Sequence, residues 1–178
     1  MIKHCFPVTT RSMLTGLSLA AIFASTVCAQ TDKSSKQTVP FEARSLRVIA
    51  LRLKPGQDLR REIEGLVKAR HIRAGFIITT VGSLSQAAIR LADQSSATRF
   101  EGKFEIVSLV GTLGADGVHL HISISDSTGK TIGGHLVEGC AIYTTAEIVI
   151  GEARGLIFAR ATDPQTGYKE LEIRKASP

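Results

Sequence analysis

Cysteine is scarce in this chain, and the few that occur are poorly placed for cross-linking. Of three cysteines, Cys5 and Cys28 fall within the first 29 residues and Cys140 stands alone in the rest. One thiol cannot form an intramolecular disulfide, so the fold must stand on its core. Cys140 follows a glycine and reads as a small packed residue, ahead of a metal ligand. Several chemical signatures are also missing. There is no Gly-rich phosphate loop, no Gly-x-Ser-x-Gly and no Cys-x-x-Cys, so phosphate-loop, serine-nucleophile and dithiol chemistry have no warrant. No internal repeat and no low-complexity tract is present. Nor is there an apolar run long enough to span a bilayer comfortably: Met13 to Ala24 is twelve residues.

That short run belongs to a different pattern. Met1 to Ala29 carries Lys3 and Arg11, no acidic residue, the apolar run, and then Ser25-Thr26-Val27-Cys28-Ala29. These are the parts of a secretory signal peptide cleaved after Ala29. An uncleaved anchor is the alternative, and the polar stretch Gln30 to Gln37 argues against it. Lipoprotein processing is disfavoured because Val27 precedes Cys28. The expected organisation is a signal peptide at 1–29, a polar, flexible lead-in at 30–44 and one domain at 45–178, in a periplasmic or secreted protein with no transmembrane segment after cleavage. Loss of Lys3 and Arg11 leaves 20 basic against 16 acidic residues, so the formal charge falls from +6 to +4. That excess attracts anions weakly and does not by itself indicate nucleic acid. The 149 residues from Gln30 onward suffice for one core, burying roughly 70% of the surface of the unfolded chain.

Periodicity predicts a fold of the α+β class, with a largely antiparallel sheet and one main helix. Leu46 to Leu53 reads as a strand stopped by Pro55-Gly56. Asp58 caps a helix whose apolar stripe is Leu59, Ile63, Leu66 and Val67, with Arg60, Arg61, Glu64 and Lys68 outside. His71 closes that helix, where the C-terminal dipole favours its charge. The basic residues Arg60, Arg61, Arg70 and Arg73 form a solvated face or hold an anion. Further strands are expected at Phe76 to Val81, Ala87 to Ala92, Phe104 to Leu113, Gly117 to Ser125, Ala141 to Ile150, Gly155 to Ala161 and Glu170 to Arg174, with Gly82-Ser83 as a turn.

The most telling feature is a set of histidines. Three of the four beyond residue 29 fall within seventeen residues, as His119-Leu120-His121 and Gly133-Gly134-His135. Strand alternation puts His119 and His121 on one face, about 7 Å apart along the chain. Asp126-Ser127-Thr128-Gly129 is turn-prone, so a hairpin can return His135 to their side. Three imidazoles with an open position make a catalytic or exchangeable zinc site, whereas structural sites close with four ligands. Hydrogen-bonded or interfacial histidines without metal are the alternative. Glu147 is the candidate catalytic group. It lies in the apolar run Tyr143 to Ile150, where an unpaired carboxylate is costly. It can orient a ligand histidine, act as a fourth ligand, transfer a proton, or pair with an arginine.

Several ordered motifs together resemble the PPC domain, the domain of plants and prokaryotes. They are Ile72-Arg73-Ala74-Gly75-Phe76, Val81-Gly82-Ser83-Leu84, Gly102-Lys103-Phe104-Glu105-Ile106-Val107, the His119/His121 strand, Gly133-Gly134-His135-Leu136 and Thr144 to Gly151. The resemblance covers about 44–155. It implies a compact domain that assembles as a homotrimer, with the three histidines as a metal site near a subunit boundary. The family carries a DNA-binding label, largely owed to AT-hooks in plant members. This chain has no Arg-Gly-Arg-Pro segment, so specific DNA binding is not expected. Gly102 to Val107 matches a plant contact patch with Lys103 for arginine, and reads more simply as a core-filling strand. The histidine pattern also looks like the zinc site of acetolactate decarboxylase, without a wider match.

Two functions follow as expectations. One is an exported trimeric module binding zinc or another divalent metal, with self-association and a possible small-molecule ligand. The other is a zinc-dependent lyase or hydrolase acting on a small carbonyl compound. The first is preferred, since Glu147 is the only evident base. Expressed with its own leader, the protein should reach the periplasmic fraction with Gln30 as its first residue. Intact mass of a full-length cytosolic product would refute the cleavage.

Overall fold

A computed structural model describes residues 40–177. The signal peptide expected at 1–29 and most of the lead-in expected at 30–44 lie outside the described residues. Alternating apolar and polar side chains draw most of this stretch into strands. In chain order the elements are β1 (Ser45–Leu53), α1 (Leu59–Ala69), β2 (Gly75–Arg90), β3 (Thr98–Gly114), β4 (Gly117–Ser125), β5 (Thr131–Leu136), β6 (Ala141–Arg154), β7 (Leu156–Thr162) and β8 (Lys169–Lys175). Six strands form one sheet in the order β1-β6-β2-β3-β4-β5, and β7 pairs with β8 separately. Every pairing is antiparallel.

The far end of β5 pairs back onto β2, through Ile89 opposite Leu136 and Arg90 opposite His135. Strands β2, β3, β4 and β5 therefore close on themselves like a small barrel. Closure gives the β5 edge a partner and removes an open row of peptide groups. The interior is filled by Leu84, Ile89, Leu113, Leu120, Ile124, Leu136, Ile142, Ile148 and Ile150, all fully buried. Burial of such side chains contributes about 1.5–3 kcal/mol each.

The helix seals one end of this core. Leu59, Ile63 and Val67 are buried at helical spacing, and Leu66 packs partly against them. Asp58 is the cap: its Oδ1 accepts from Arg61 N at 2.9 Å. Its other oxygen accepts from Gly139 N at 2.6 Å and Cys140 N at 3.1 Å. One carboxylate thus ties the helix start to the β5–β6 connection. At the other end His71 has φ 50°, the left-handed exit of a helix.

The expected turn at Gly82-Ser83 is instead part of one sixteen-residue strand, β2. The pairing register with β6 shifts between Gly82 and Leu84. Gly82 has φ 149°, and a Cβ there would lie 2.1 Å from Thr145 O. The glycine serves a bulge and a close backbone approach, which in sequence looks the same as a turn. Cys140 is fully buried, and its thiol donates to Ala88 O at 3.3 Å. Burial pushes its pKa up to about 11, as suits an inert packed thiol. No helix among the described residues is long and apolar enough to cross a membrane.

Replacing Asp58 with Ala removes three acceptor contacts together. Urea denaturation should show a loss above the ~1 kcal/mol of an ordinary cap, on the order of 2–3 kcal/mol. A loss within ~0.5 kcal/mol would mean that the β5–β6 tie carries no stability.

Candidate metal centre

The hairpin that assembles the histidines begins with a carboxylate. Asp126 Oδ1 accepts from Thr128 N at 2.8 Å, Thr128 Oγ1 at 2.6 Å and Lys130 N at 3.1 Å. These bonds, led by the Thr128 hydroxyl, hold its carboxyl below the usual carboxylate range. The turn sets β5 against β4 with His135 directly opposite His121. On β4, Leu120 and Ile122 point into the core, so His119 and His121 both point outward.

Gly133 and Gly134 make room for the return strand. A Cβ on Gly134 would lie 2.6 Å from Arg90 O, and one on Gly133 would lie 2.8 Å from Ile122 O. The pair therefore serves close packing of β5 between β4 and β2, while Gly129, at φ 83°, serves the turn.

The three rings converge. His119 Nε2 lies 3.3 Å from His135 Nδ1 and 3.2 Å from His121 Nε2. One ligand atom from each residue falls within 4.8 Å of the others. A tetrahedral zinc with bonds of ~2.0–2.1 Å separates its ligand nitrogens by about 3.3–3.4 Å. The two closest separations match that spacing, and the donor set is all imidazole. His119, His121 and His135 can therefore hold a metal ion.

Their electrostatics point the same way, since a ligand imidazole must be neutral. Burial, then the charge of Arg160, then His121, lower the pKa of His119 from the ordinary 6.5. Burial, then Arg90, then His121 and His119, lower that of His135.

Beside the cluster lies a cavity of about 860 Å³, lined by His119 and His135 and by residues from α1, β2, β7 and β8. Arg160 of β7 reaches His119, with Nη1 at 3.2 Å from Nδ1. Arg90 stands opposite His135 in the β2–β5 pairing. Sequence patterning had no means of finding these two arginines: Arg160 is 41 residues from His119, and nothing local marks either as facing the histidines.

Glu147 is placed elsewhere. It is exposed on β6, opposite Arg52 on one side and Val81 on the other. It is not among the residues lining the cavity. Its flanking Ala146 and Ile148 are buried, so the apolar run describes the other face of the strand. The buried carboxylate of β6 is Glu152, which pairs with Arg47 at 3.2 Å and accepts from Arg73 N at 3.2 Å.

The model of the Plants and Prokaryotes Conserved (PCC) domain matches residues 41–154. The bifunctional protein GlmU of Synechococcus sp. (strain JA-3-3Ab) is 50% identical over 138 residues, 78% of this chain and 22% of that protein. The chain thus spans about a fifth of the length of the curated relatives it matches. A hypothetical protein from Salmonella enterica is 42% identical with TM-score 0.72, over 74% of this chain and 95% of its own. A metal-containing protein from Archaeoglobus fulgidus is 29% identical with TM-score 0.63, over 76% and 99%. A putative DNA-binding protein from Bacteroides thetaiotaomicron, 19% identical with TM-score 0.61 over 74% and 98%, shares the fold.

The lowered imidazole values make stability depend on pH. Between them and the unfolded value of about 6.5, the unfolded chain binds more protons than the folded one. Stability of metal-free protein should therefore fall as pH drops from neutrality through that window. A His119→Gln/His135→Gln variant should flatten the loss above about pH 5, where carboxylates remain ionised. Urea midpoints across this range test it, and identical slopes in both proteins would refute the assignment.

Proposed function

The chain belongs to the Plants and Prokaryotes Conserved (PCC) domain family, and on that premise we propose that it is an exported, trimeric binding module built around zinc. The observation that carries this reading is the convergence of His119, His121 and His135 at 3.2–3.3 Å. Zinc suits an all-imidazole site of tetrahedral spacing. A relative described as metal-containing supports a metal at this fold.

An unpartnered apolar face supports self-association. Leu46, Val48, Ile78, Val81, Val107 and Val110 are each 47–58% exposed. Six large aliphatic side chains on β1, β2 and β3 are more than scattered surface residues require. Val110 stands directly opposite His121 in the β3–β4 pairing, so the apolar face runs up to the histidines. That continuity supports a metal site near a subunit boundary. Export rests on the leader pattern of residues 1–29. Specific DNA binding is not assigned, since the sequence offers no AT-hook and the one helix among the described residues packs on the core.

A second reading is favoured by one observation: His119 and His135 border an open cavity. Zinc held by His119, His121 and His135 would supply Lewis-acid polarisation of a substrate oxygen. A lyase or hydrolase acting on a small carbonyl compound would use that polarisation. Glu147 stands outside the lining, so a base would have to come from another group.

Mature protein purified without chelator should carry about one zinc per subunit by elemental analysis. His121→Ala should hold little, with affinity reduced more than about 100-fold, since even outer-shell changes cost 10–100-fold. Light scattering on the same sample should give three times the subunit mass. Equal metal in both proteins would refute the site, and a monomer would refute the assembly.

A further inference from the structure

We infer that the cavity beside the histidines binds a small organic oxyanion, a carboxylate or a phosphate ester, held by Arg90, Arg160 and Lys169 against the metal's open position. This rests on the metal reading above and names the ligand class that the site takes.

The charges around the cavity motivate the inference. Four cations line it, Arg60, Arg90, Arg160 and Lys169, against two carboxylates, Asp93 and Glu170. Arg60 is already committed, to Glu64 at 2.8 Å and to Leu136 O at 2.7 Å. The other three cations are in no ion pair among the described residues. Arg90 donates to Gln94 O at 3.3 Å, and Arg160 donates to Lys169 O and to His119. A guanidinium whose partners are carbonyls and a ring nitrogen still has unmatched charge. An oxyanion answers it with charge-assisted bonds and can accept two parallel N–H donors.

Two of these cations stand against the histidines themselves, Arg160 Nη1 at 3.2 Å from His119 Nδ1 and Arg90 opposite His135. Cations so close to metal ligands oppose the metal's own charge. An anion between them relieves that opposition, since it faces positive charge on both sides.

Arg160 further couples the two ligands. Arginine has donors only, so at 3.2 Å the Nδ1 of His119 is placed as the acceptor of that contact. A neutral imidazole ligating through Nε2 would carry its proton on Nδ1, facing the Arg160 donor. The guanidinium must then turn away, and an oxyanion in the cavity is the acceptor at hand. Metal and oxyanion therefore favour each other, and by linkage each raises the other's affinity by one common factor.

Residues 155–178 lie beyond the family match, yet β7 and β8 supply both Arg160 and Lys169. The terminal hairpin is thus the part of this chain that sets the ligand class. It is anchored independently of the cavity: Phe158 N donates to Arg73 O at 2.8 Å, and Leu156, Phe158 and Ile173 pack with Ala74 and Ala153.

The test is calorimetric titration of mature protein with malonate and, separately, inorganic phosphate, with and without stoichiometric zinc. Zinc-loaded wild type should bind one or both, and the stronger arm tells carboxylate from phosphate. Arg160→Gln and Arg90→Gln should each lose about tenfold or more in anion affinity, as expected for a bond to a charged group. Both should keep zinc by elemental analysis, and Lys68→Ala, which changes an exposed charge on α1, should bind like wild type. Zinc affinity should rise with malonate or phosphate in wild type and rise less in Arg160→Gln. If Arg160→Gln fails to fold, judged by circular dichroism, Arg90→Gln decides. Zinc-loaded protein that binds neither anion, or variants that bind as wild type does, would overturn the inference while leaving the metal site standing. If wild type takes up no zinc, the metal reading fails. The metal-free titration then decides the subsite alone: Arg160-dependent binding keeps it, and no binding removes it.

Discussion

Strand β5 has to approach two strands at once, β4 along Thr131 to His135 and β2 at His135 and Leu136. Gly133 and Gly134 lie where the three backbones crowd together, and a single added Cβ on Gly134 would meet Arg90 O at 2.6 Å and Ile89 Cγ2 at 2.9 Å. Much depends on this closeness. It closes β2 to β5 into a ring, buries Leu136 at its end, and fixes His135 between His121 on one side and Arg90 on the other. A Cβ at either glycine would push the strand outward. Displacement by an ångström would also spoil the spacing of nitrogens placed to share one ion, where bond lengths vary by only ~0.2 Å.

The site is therefore a product of topology before it is one of chemistry. A hairpin alone brings His121 and His135 together; the second pairing of β5 brings the cation. The β7–β8 hairpin adds another from beyond the family match. Positive charge beside neutral imidazoles keeps them neutral to lower pH, which favours ligation, and at the same time repels the ion that would be ligated. Such an arrangement is poorly balanced unless negative charge completes it, which is why the arginines and the histidines make sense as parts of one site.

How much of this was legible in the sequence follows the range of each signal. Asp58 and the Leu59-Ile63-Val67 stripe are local, and the helix begins and packs as its pattern indicates. The His-x-His alternation and the Asp126 turn are also local, and they place three rings together. Gly82-Ser83 misleads because a bulge and a turn make the same demand on glycine, and only the partner strand distinguishes them. Arg90 and Arg160 were invisible because their role comes from strands paired across the chain. The motif resemblance carried the family, and the family match ends before the hairpin that delivers Arg160.

Glu147 shows how an apolar run can be misread. Its neighbours Ala146, Ile148 and Ile150 belong to the buried face, and the intervening Thr145, Glu147 and Val149 belong to the other. Period two was present, but both faces are so aliphatic that the alternation hardly registers in sequence. The outer face is apolar for a different reason from the inner one. Val81 and Val110 are exposed, yet each stands beside a polar group, Val81 next to Glu147 and Val110 next to His121. An exposed carboxylate set among valines in that way is costly only if water is excluded from it. Its cross-strand neighbour Arg52 carries the opposite charge, so the carboxylate is not set among valines alone. The carboxylate that looked catalytic in sequence is an exposed group on the outer face of β6, outside the lining of the cavity beside the histidines.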